Sequence, residues 1–309
     1  MTEIEAIASP LGCKLAQQMP GMPSKDIAFF VGVLQADEPY FLGAESHAQD
    51  GVPCGKLNRH RQLQSRFYPG VERDYWVYVP HQYDPAAPAC LMVFLDGARY
   101  LGPEVNATRV FDNLIHAGEI PVTIAVFINP GEQGPGLPIY GGTDNRSIEY
   151  DTQGDTYARF LAEELLPLAL QNLVIADAPS DRAICGLSSG GICAFNVAWE
   201  QPGNFSKVVS HCGSFTNIRG GHETSGKIRR EPPKPLRVFL QTGTRDLDVI
   251  FGRWEFANRD LASALADRGY DHQLMVGTGS HSLKHGGAVF PETLRWLWRD
   301  SLQQRELGT

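Results

Sequence analysis

Apolar residues along this chain recur in short, nearly continuous runs, and most runs end in small or turn-forming residues. "CLMVFLDG" (90–97) and "VTIAVFINPG" (122–131) are runs of this kind, and both read as strands buried on two faces. "RAIC" (182–185), "KVVSHCG" (207–213), "LRVFLQTG" (236–243) and "HQLMVG" (272–277) extend the series. Two earlier stretches, "KLNRHRQLQS" (56–65) and "RDYWVYVP" (73–80), alternate polar and apolar positions and predict a neighbouring pair, the second ending at Pro80. Helical spacing appears in "GDTYARFLAEELLPLALQN" (154–172), with Asp155 as N-cap and Pro167 bending or dividing the helix. "GICAFNVAWEQ" (191–201), "NRDLASALADRG" (258–269, stopped by Gly269) and "PETLRWLWRDSL" (291–302, Pro291 in the first turn) are further helices. Buried strands alternating with amphipathic helices predict an α/β fold, a mainly parallel sheet covered on both faces. The first ~50 residues show weak periodicity and many turn formers, and predict an irregular extension packed on the main domain.

In such sheets the site lies at the carboxyl ends of the strands. After "RAIC" the turn "GLSSGG" fits G-x-S-x-G in one frame only, Gly186-Leu187-Ser188-Ser189-Gly190. A tight strand-to-helix turn exposes the apical serine and needs small flanking residues, so Ser188 is the candidate nucleophile. A serine hydroxyl needs a base, and the base an orienting carboxylate, both downstream in this chain order. "TRDLD" offers Asp246 and Asp248; "TGSHSLKHGG" offers His281 and His285. Asp246 is preferred as nearer its strand end, and His281 for the small residues Gly277, Gly279 and Ser280 that let its loop reach the serine. The oxyanion donors expected are the Ser189 amide and that of Gly97 or Ala98 in "FLDGARY". Arg146 and Glu149 in "YGGTDNRSIEYD" either bind a polar substrate or form an ion pair. Trp254 either walls the pocket or belongs to the core.

Composition narrows the class. A net charge of -8 gives no attraction to nucleic acid or anionic membrane. No run approaches the ~18 apolar residues of a membrane span, and the N-terminus does not read as a secretory signal, so a cytoplasmic location is expected. Six cysteines without a CxxC pair predict mostly buried, reduced thiols and no zinc site.

The stretches "RDYWVYVP", "LMVFLDGARY", "DNRSIEYD", "ICGLSSGGICAF", "FLQTGTRDLD" and "GSHSLKHGGAVFPETLRWLW" together resemble the enterochelin esterase-like branch of the esterase D family of α/β-hydrolases, over roughly residues 70–300. The resemblance implies an α/β-hydrolase fold with an eight-stranded, mostly parallel sheet; with the 1–50 extension set apart by its patterning, the esterase domain is expected to span 51–309. It implies a serine carboxylesterase using Ser188, Asp246 and His281, with Gly97 in the oxyanion loop and no metal or organic cofactor. Cys212 stands in "SHCGSF" where relatives often have serine. Relatives act on feruloyl esters, acetylated sugars, siderophore esters or formylglutathione, or transfer mycolyl groups, and membership does not choose among these. The expected partner is a small-molecule or carbohydrate ester. Acyl transfer to an alcohol or sugar, and a non-catalytic binding module on the same scaffold, are the alternative readings.

Overall fold

The computed structural model describes residues 2–18, 23–34, 39–132 and 145–306. Its centre is an eight-stranded sheet in the order β1-β2-β4-β3-β5-β6-β7-β10. The strands are β1 (Lys56–Gln62), β2 (Arg73–Val79), β3 (Cys90–Leu95), β4 (Thr123–Ile128), β5 (Arg182–Leu187), β6 (Lys207–His211), β7 (Arg237–Gly243) and β10 (Asp271–Gly277). Two short strands, β8 (Asp248–Val249) and β9 (Gly252–Arg253), form a separate hairpin after β7. From β4 across to β10 every pairing is parallel, while β1 and β2 join antiparallel. The α/β-hydrolase architecture read from the sequence is the one observed.

The continuous apolar runs of β3 to β7 are buried on both faces because their side chains alternate between two cores, whereas β10, read as one of the series, is an edge strand and only partly buried. Leu91, Val93 and Leu95 face one core with Ile184, Val208 and Leu240; Met92 and Phe94 face the other with Ala183, Cys185 and Phe239. Helix α9 (Ser189–Glu200) is apolar nearly all round and buried, as a central helix between other elements must be. At the edge, β1 exposes all but Gln62, and its Lys, Arg and His side chains discourage pairing with another sheet.

The predicted helix at 154–172 is divided. Helix α7 (Thr156–Phe160) passes through a π-helical turn, Leu161–Leu165, into α8 (Leu166–Ala169), whose first turn contains Pro167. Proline has no N–H for the preceding turn and its ring crowds that turn's carbonyl, so the ladder widens ahead of it. Asp155 sits at the N-cap position, but its side chain makes no capping bond. Gly269, at φ +71°, ends α11 (Trp254–Asp267) as expected.

The first 50 residues depart from expectation. Among the described residues they contain three α-helices, α1 (Glu3–Ala8), α2 (Pro10–Gln18) and α3 (Ser24–Leu34). The signals were short but present. Thr2 and Glu5 form a reciprocal capping box, Ser9 Oγ accepts the Gly12 amide at the start of α2, and Pro10 opens that helix. Ile27, Phe30 and Val31 lie on one helical face, packed with Leu247, Val249 and Trp254. Burying each contributes about 1.5–3 kcal/mol, which offsets the weak local propensity.

Candidate active site

Three loops at the carboxyl end of the sheet meet around Ser188. This residue joins β5 to α9 at φ +59° and ψ -119°, a backbone region costly for a side chain. The amide of Ser188 donates to the His211 carbonyl at 2.9 Å, and the Ser188 carbonyl accepts the Ser214 amide at 3.0 Å. The turn is closed so tightly that a Cβ on Gly186 would lie 2.1 Å from the Gly190 carbonyl oxygen. Only glycine fits there, for the steric reason that the G-x-S-x-G spacing suggested.

Nε2 of His281 lies 2.8 Å from Ser188 Oγ, and its Nδ1 lies 2.6 Å from Asp246 Oδ1. The other donors to the carboxylate are the Leu247 amide at 2.7 Å and the Thr242 hydroxyl at 2.8 Å. Burial would push the Asp246 carboxyl up; the His281 ring, the amide and the hydroxyl outweigh it and hold the group below its ordinary value. An ionised carboxylate accepts only, so in the neutral ring Nδ1 carries the proton and Nε2 is left as an acceptor for the serine proton. The arrangement can therefore deprotonate the Ser188 hydroxyl.

The acid and histidine loops are fastened to each other. The Thr244 amide donates to the Gly277 carbonyl, the Arg245 amide to that of Gly279, and Arg245 Nε to that of Thr278. Asp248, the alternative acid, is exposed and pairs with Arg253 at 3.1 Å. His285, the alternative base, lies behind the loop, bonded to Gln241 at 3.0 Å and stacked on Tyr40 at 4.3 Å.

Gly97 opens α4 (Gly97–Leu101), just after Asp96 in the left-handed region at φ 58°. A Cβ at Gly97 would lie 2.4 Å from the backbone of Phe127 and Ile128, so β4 admits only glycine. Among the described residues the Gly97 and Ser189 amides have no acceptor. Ala98 differs: its amide donates to Asn129 Oδ1 at 3.0 Å. Of the Gly97/Ala98 alternatives, Gly97 keeps an available N–H and Ala98 does not. The Ser189 hydroxyl lies beside Asp151, whose carboxyl is pushed up by burial against the opposing pull of Arg146, Ser189 and Ser147.

Arg146 and Glu149 do not bind each other, and neither is placed to bind a substrate. Part of their segment, residues 140–144, lies outside the described residues. The Arg146 guanidinium, 2% exposed, grips both Asp96 oxygens at 2.8 and 2.7 Å and donates to the Leu187 carbonyl at 3.2 Å. Glu149 takes the Arg73 fork at 2.6 and 3.0 Å. The correction has a physical reason, since a buried charge needs a complete partner shell and these two are filled by Asp96 and Arg73. Arg146 still matters locally, because it joins the residue before Gly97 to the residue before Ser188.

Trp254 is core, not pocket wall: it is 2% exposed and packed with the N-terminal helices. Its indole also donates to Ser214 Oγ at 3.1 Å and meets the His281 ring edge-on at 5.8 Å. Ser214 in turn lies 3.1 Å from Ser188 Oγ. Neither Ser214 nor Thr242 stood out in the sequence, since hydroxyls near strand ends carry no spacing signal.

Four cysteines (Cys90, Cys185, Cys193, Cys212) are buried, two (Cys13, Cys54) are exposed, and none is in a disulfide. Burial pushes the Cys185 and Cys193 thiols up, away from thiolate chemistry. The ligand atoms of Cys212, Asp246 and His281 lie within 4.8 Å of one another. All three residues are committed to hydrogen bonds, Cys212 Sγ towards Gln241 Oε1 and the carbonyls of Ser280 and Ser282. A metal there would have to break the His281–Asp246 bond.

The model of the Esterase family, described as "Putative esterase", matches residues 68–297, nearly three quarters of the chain. The chain belongs to the Esterase family. It is a hydrolase of carboxylic esters, and the resemblance to enterochelin esterase-like proteins holds. Ser188, Asp246 and His281 fall inside the matched region, whereas the N-terminal helices precede it. A ferulic acid esterase shares the fold with a TM-score of 0.65 at 16% identity, over 80% of this chain and 99% of that one. The ferulic acid esterase AmCE1/Fae1A from Anaeromyces mucronatus gives 0.65 at 17%, over 84% and 97%. The enterobactin esterase FES from Shigella flexneri gives 0.63 at 20%, over 79% of this chain but 60% of that one. In sequence, the uncharacterized protein YjcH of Bacillus subtilis (strain 168) is 24% identical over 216 residues, 66% of this chain and 82% of YjcH. Among the described residues no helix of this esterase is long and apolar enough to cross a membrane.

Proposed function

We propose that this esterase is a serine carboxylesterase working through Ser188, His281 and Asp246. The observation that carries the reading is the His281 ring bridging Ser188 Oγ at 2.8 Å and Asp246 Oδ1 at 2.6 Å. Ser188 Oγ attacks the ester carbonyl while its proton passes to Nε2, and the carbonyl π pair moves to the oxygen. Gly97 and Ser189 amides donate to that oxyanion, helped by the partial positive charge at the start of α9. Nε2 then protonates the departing alkoxide. Water, deprotonated by the same nitrogen, releases the acid and restores Ser188. Asp246 holds the ring tautomer throughout and keeps its negative charge. Each step moves a proton between side chain, ester and water, and the residues that perform it are all in this chain.

The substrate proposed is a feruloyl, acetyl-sugar or siderophore-type ester; the named ferulic acid and enterobactin esterases of the same fold support the feruloyl and siderophore-type readings. The test is hydrolysis of p-nitrophenyl acetate and of a panel of these esters by the wild type and Ser188→Ala. We expect the variant to lose at least about 10³-fold in kcat. A variant with full activity would sink the reading.

A further inference from the structure

A directed chain of hydrogen bonds passes through the reacting oxygen, and elementary donor chemistry fixes its direction from both ends. At one end, the indole Nε1 of Trp254 can only donate, and Ser214 Oγ receives it at 3.1 Å. At the other end, the Asp246 carboxylate can only accept, so the His281 ring donates from Nδ1 and, in the neutral form that acts as base, accepts at Nε2. Ser188 must then give its single proton to Nε2 at 2.8 Å. Having none left, Ser188 can only accept from Ser214 at 3.1 Å. The order is Trp254 to Ser214 to Ser188 to His281 to Asp246.

We propose that Ser214 is a further catalytic residue of the ester reaction, donating its hydroxyl proton to Ser188 Oγ, and that Trp254 is the positioning residue that turns that hydroxyl towards Ser188. This rests on the reading of Ser188 as nucleophile. Ser214 is 1% exposed and Trp254 2%, so water has no ready access to replace either donor. The Ser214 main chain is tied to the same turn through its amide, and Asn258 Nδ2 holds the adjoining Gly213 carbonyl at 2.9 Å.

The proton of Ser214 stays on Ser214. During acylation the Ser188 O–H bond breaks, its proton goes to Nε2, and charge builds on Oγ as the Oγ–C bond forms. A fixed donor 3.1 Å away stabilises that charge and holds Oγ in line with the imidazole. During deacylation the Oγ–C bond breaks, its electron pair returns to Oγ, and the same donor receives the departing oxygen while Nε2 returns the proton.

The experiment compares Ser214→Ala, Ser214→Thr, Trp254→Phe and the double variant Ser214→Ala/Trp254→Phe on p-nitrophenyl acetate. Ser214→Ala lowers kcat by about 10–100-fold, with KM changed less than about threefold. Ser214→Thr, which keeps the hydroxyl, recovers most of the loss. Trp254→Phe lowers kcat by about 3–10-fold. The double variant stays within about twofold of Ser214→Ala, because the indole acts through a hydroxyl no longer there. A Ser214→Ala enzyme within twofold of wild-type kcat overturns the proposal, as does a double variant whose losses multiply. If Ser214→Ala lacks the native circular-dichroism spectrum, Trp254→Phe decides: unchanged kcat overturns, and reduced kcat at constant KM supports. An inactive Ser188→Ala beside an unimpaired Ser214→Ala removes only the role of Ser214. An active Ser188→Ala removes the nucleophile itself.

Discussion

The Ser188 turn and the loops carrying Asp246 and His281 sit at the same end of the sheet, yet they are built in opposite ways. The turn is local: five consecutive residues, a strand before it and a helix after it, with Gly186 pressed on Gly190. The two loops are distributed: 35 residues separate acid and base, and cross-links between β7 and β10 align them. In the first, backbone sterics place the functional group. In the second, side chains and long-range pairing place it, and neighbouring candidates of identical chemistry end up elsewhere.

The sharpest break of that contrast is at the acid. Asp246→Asn should cost about 10³–10⁴-fold in kcat, because the amide supports the wrong ring tautomer. Asp248→Asn should remain within about twofold, its partner being the exposed Arg253. Equal losses in the two variants, measured on one ester, would contradict the assignment of Asp246.

In the local region a single methyl should suffice. Gly186→Ala places its Cβ where the Gly190 carbonyl oxygen already lies, and neither atom is on a flexible side chain. A stability loss of about 3 kcal/mol or more is expected in urea unfolding. A wild-type midpoint would show that the turn has slack.

His211 lies between the two regions: its carbonyl holds the Ser188 amide, and its ring packs against Gly286 just beyond the histidine loop. Burial, with a smaller contribution from His285, pushes this ring down to about 3 from 6.5. The unfolded chain therefore takes up the proton first as pH falls. Stability from the buried neutral ring is complete above about 6.5 and is lost progressively towards 3, at about 1.4 kcal/mol per pH unit. Between pH 6 and 4.5 the wild type should lose about 2 kcal/mol more than His211→Gln in urea unfolding. Parallel losses would show that the ring titrates normally in the fold.

The elements that were legible early are those whose signal is local. Runs such as Cys90–Leu95 announce a strand because each face must be apolar, and Gly269 announces a stop because αL suits it. The N-terminal helices were missed because they are short, lie among turn formers and gain their stability from Leu247, Val249 and Trp254, over 200 residues away. Arg146, Glu149 and Trp254 stayed open between a substrate contact and a structural role for a related reason. A buried arginine and a substrate-binding arginine look alike until the partner carboxylate, here Asp96, is known.

The sequence by itself determined the sheet, the Ser188 turn and the order of serine, acid and histidine along the chain, since steric and hydrophobic patterning act over a few residues. Only the tertiary structure decided that Asp246 rather than Asp248 meets His281, that Ala98 has spent its amide on Asn129, and that Ser214 touches Ser188. Those outcomes depend on hydrogen-bond partners distant in the chain, and a donor's partner is fixed by where the fold brings an acceptor.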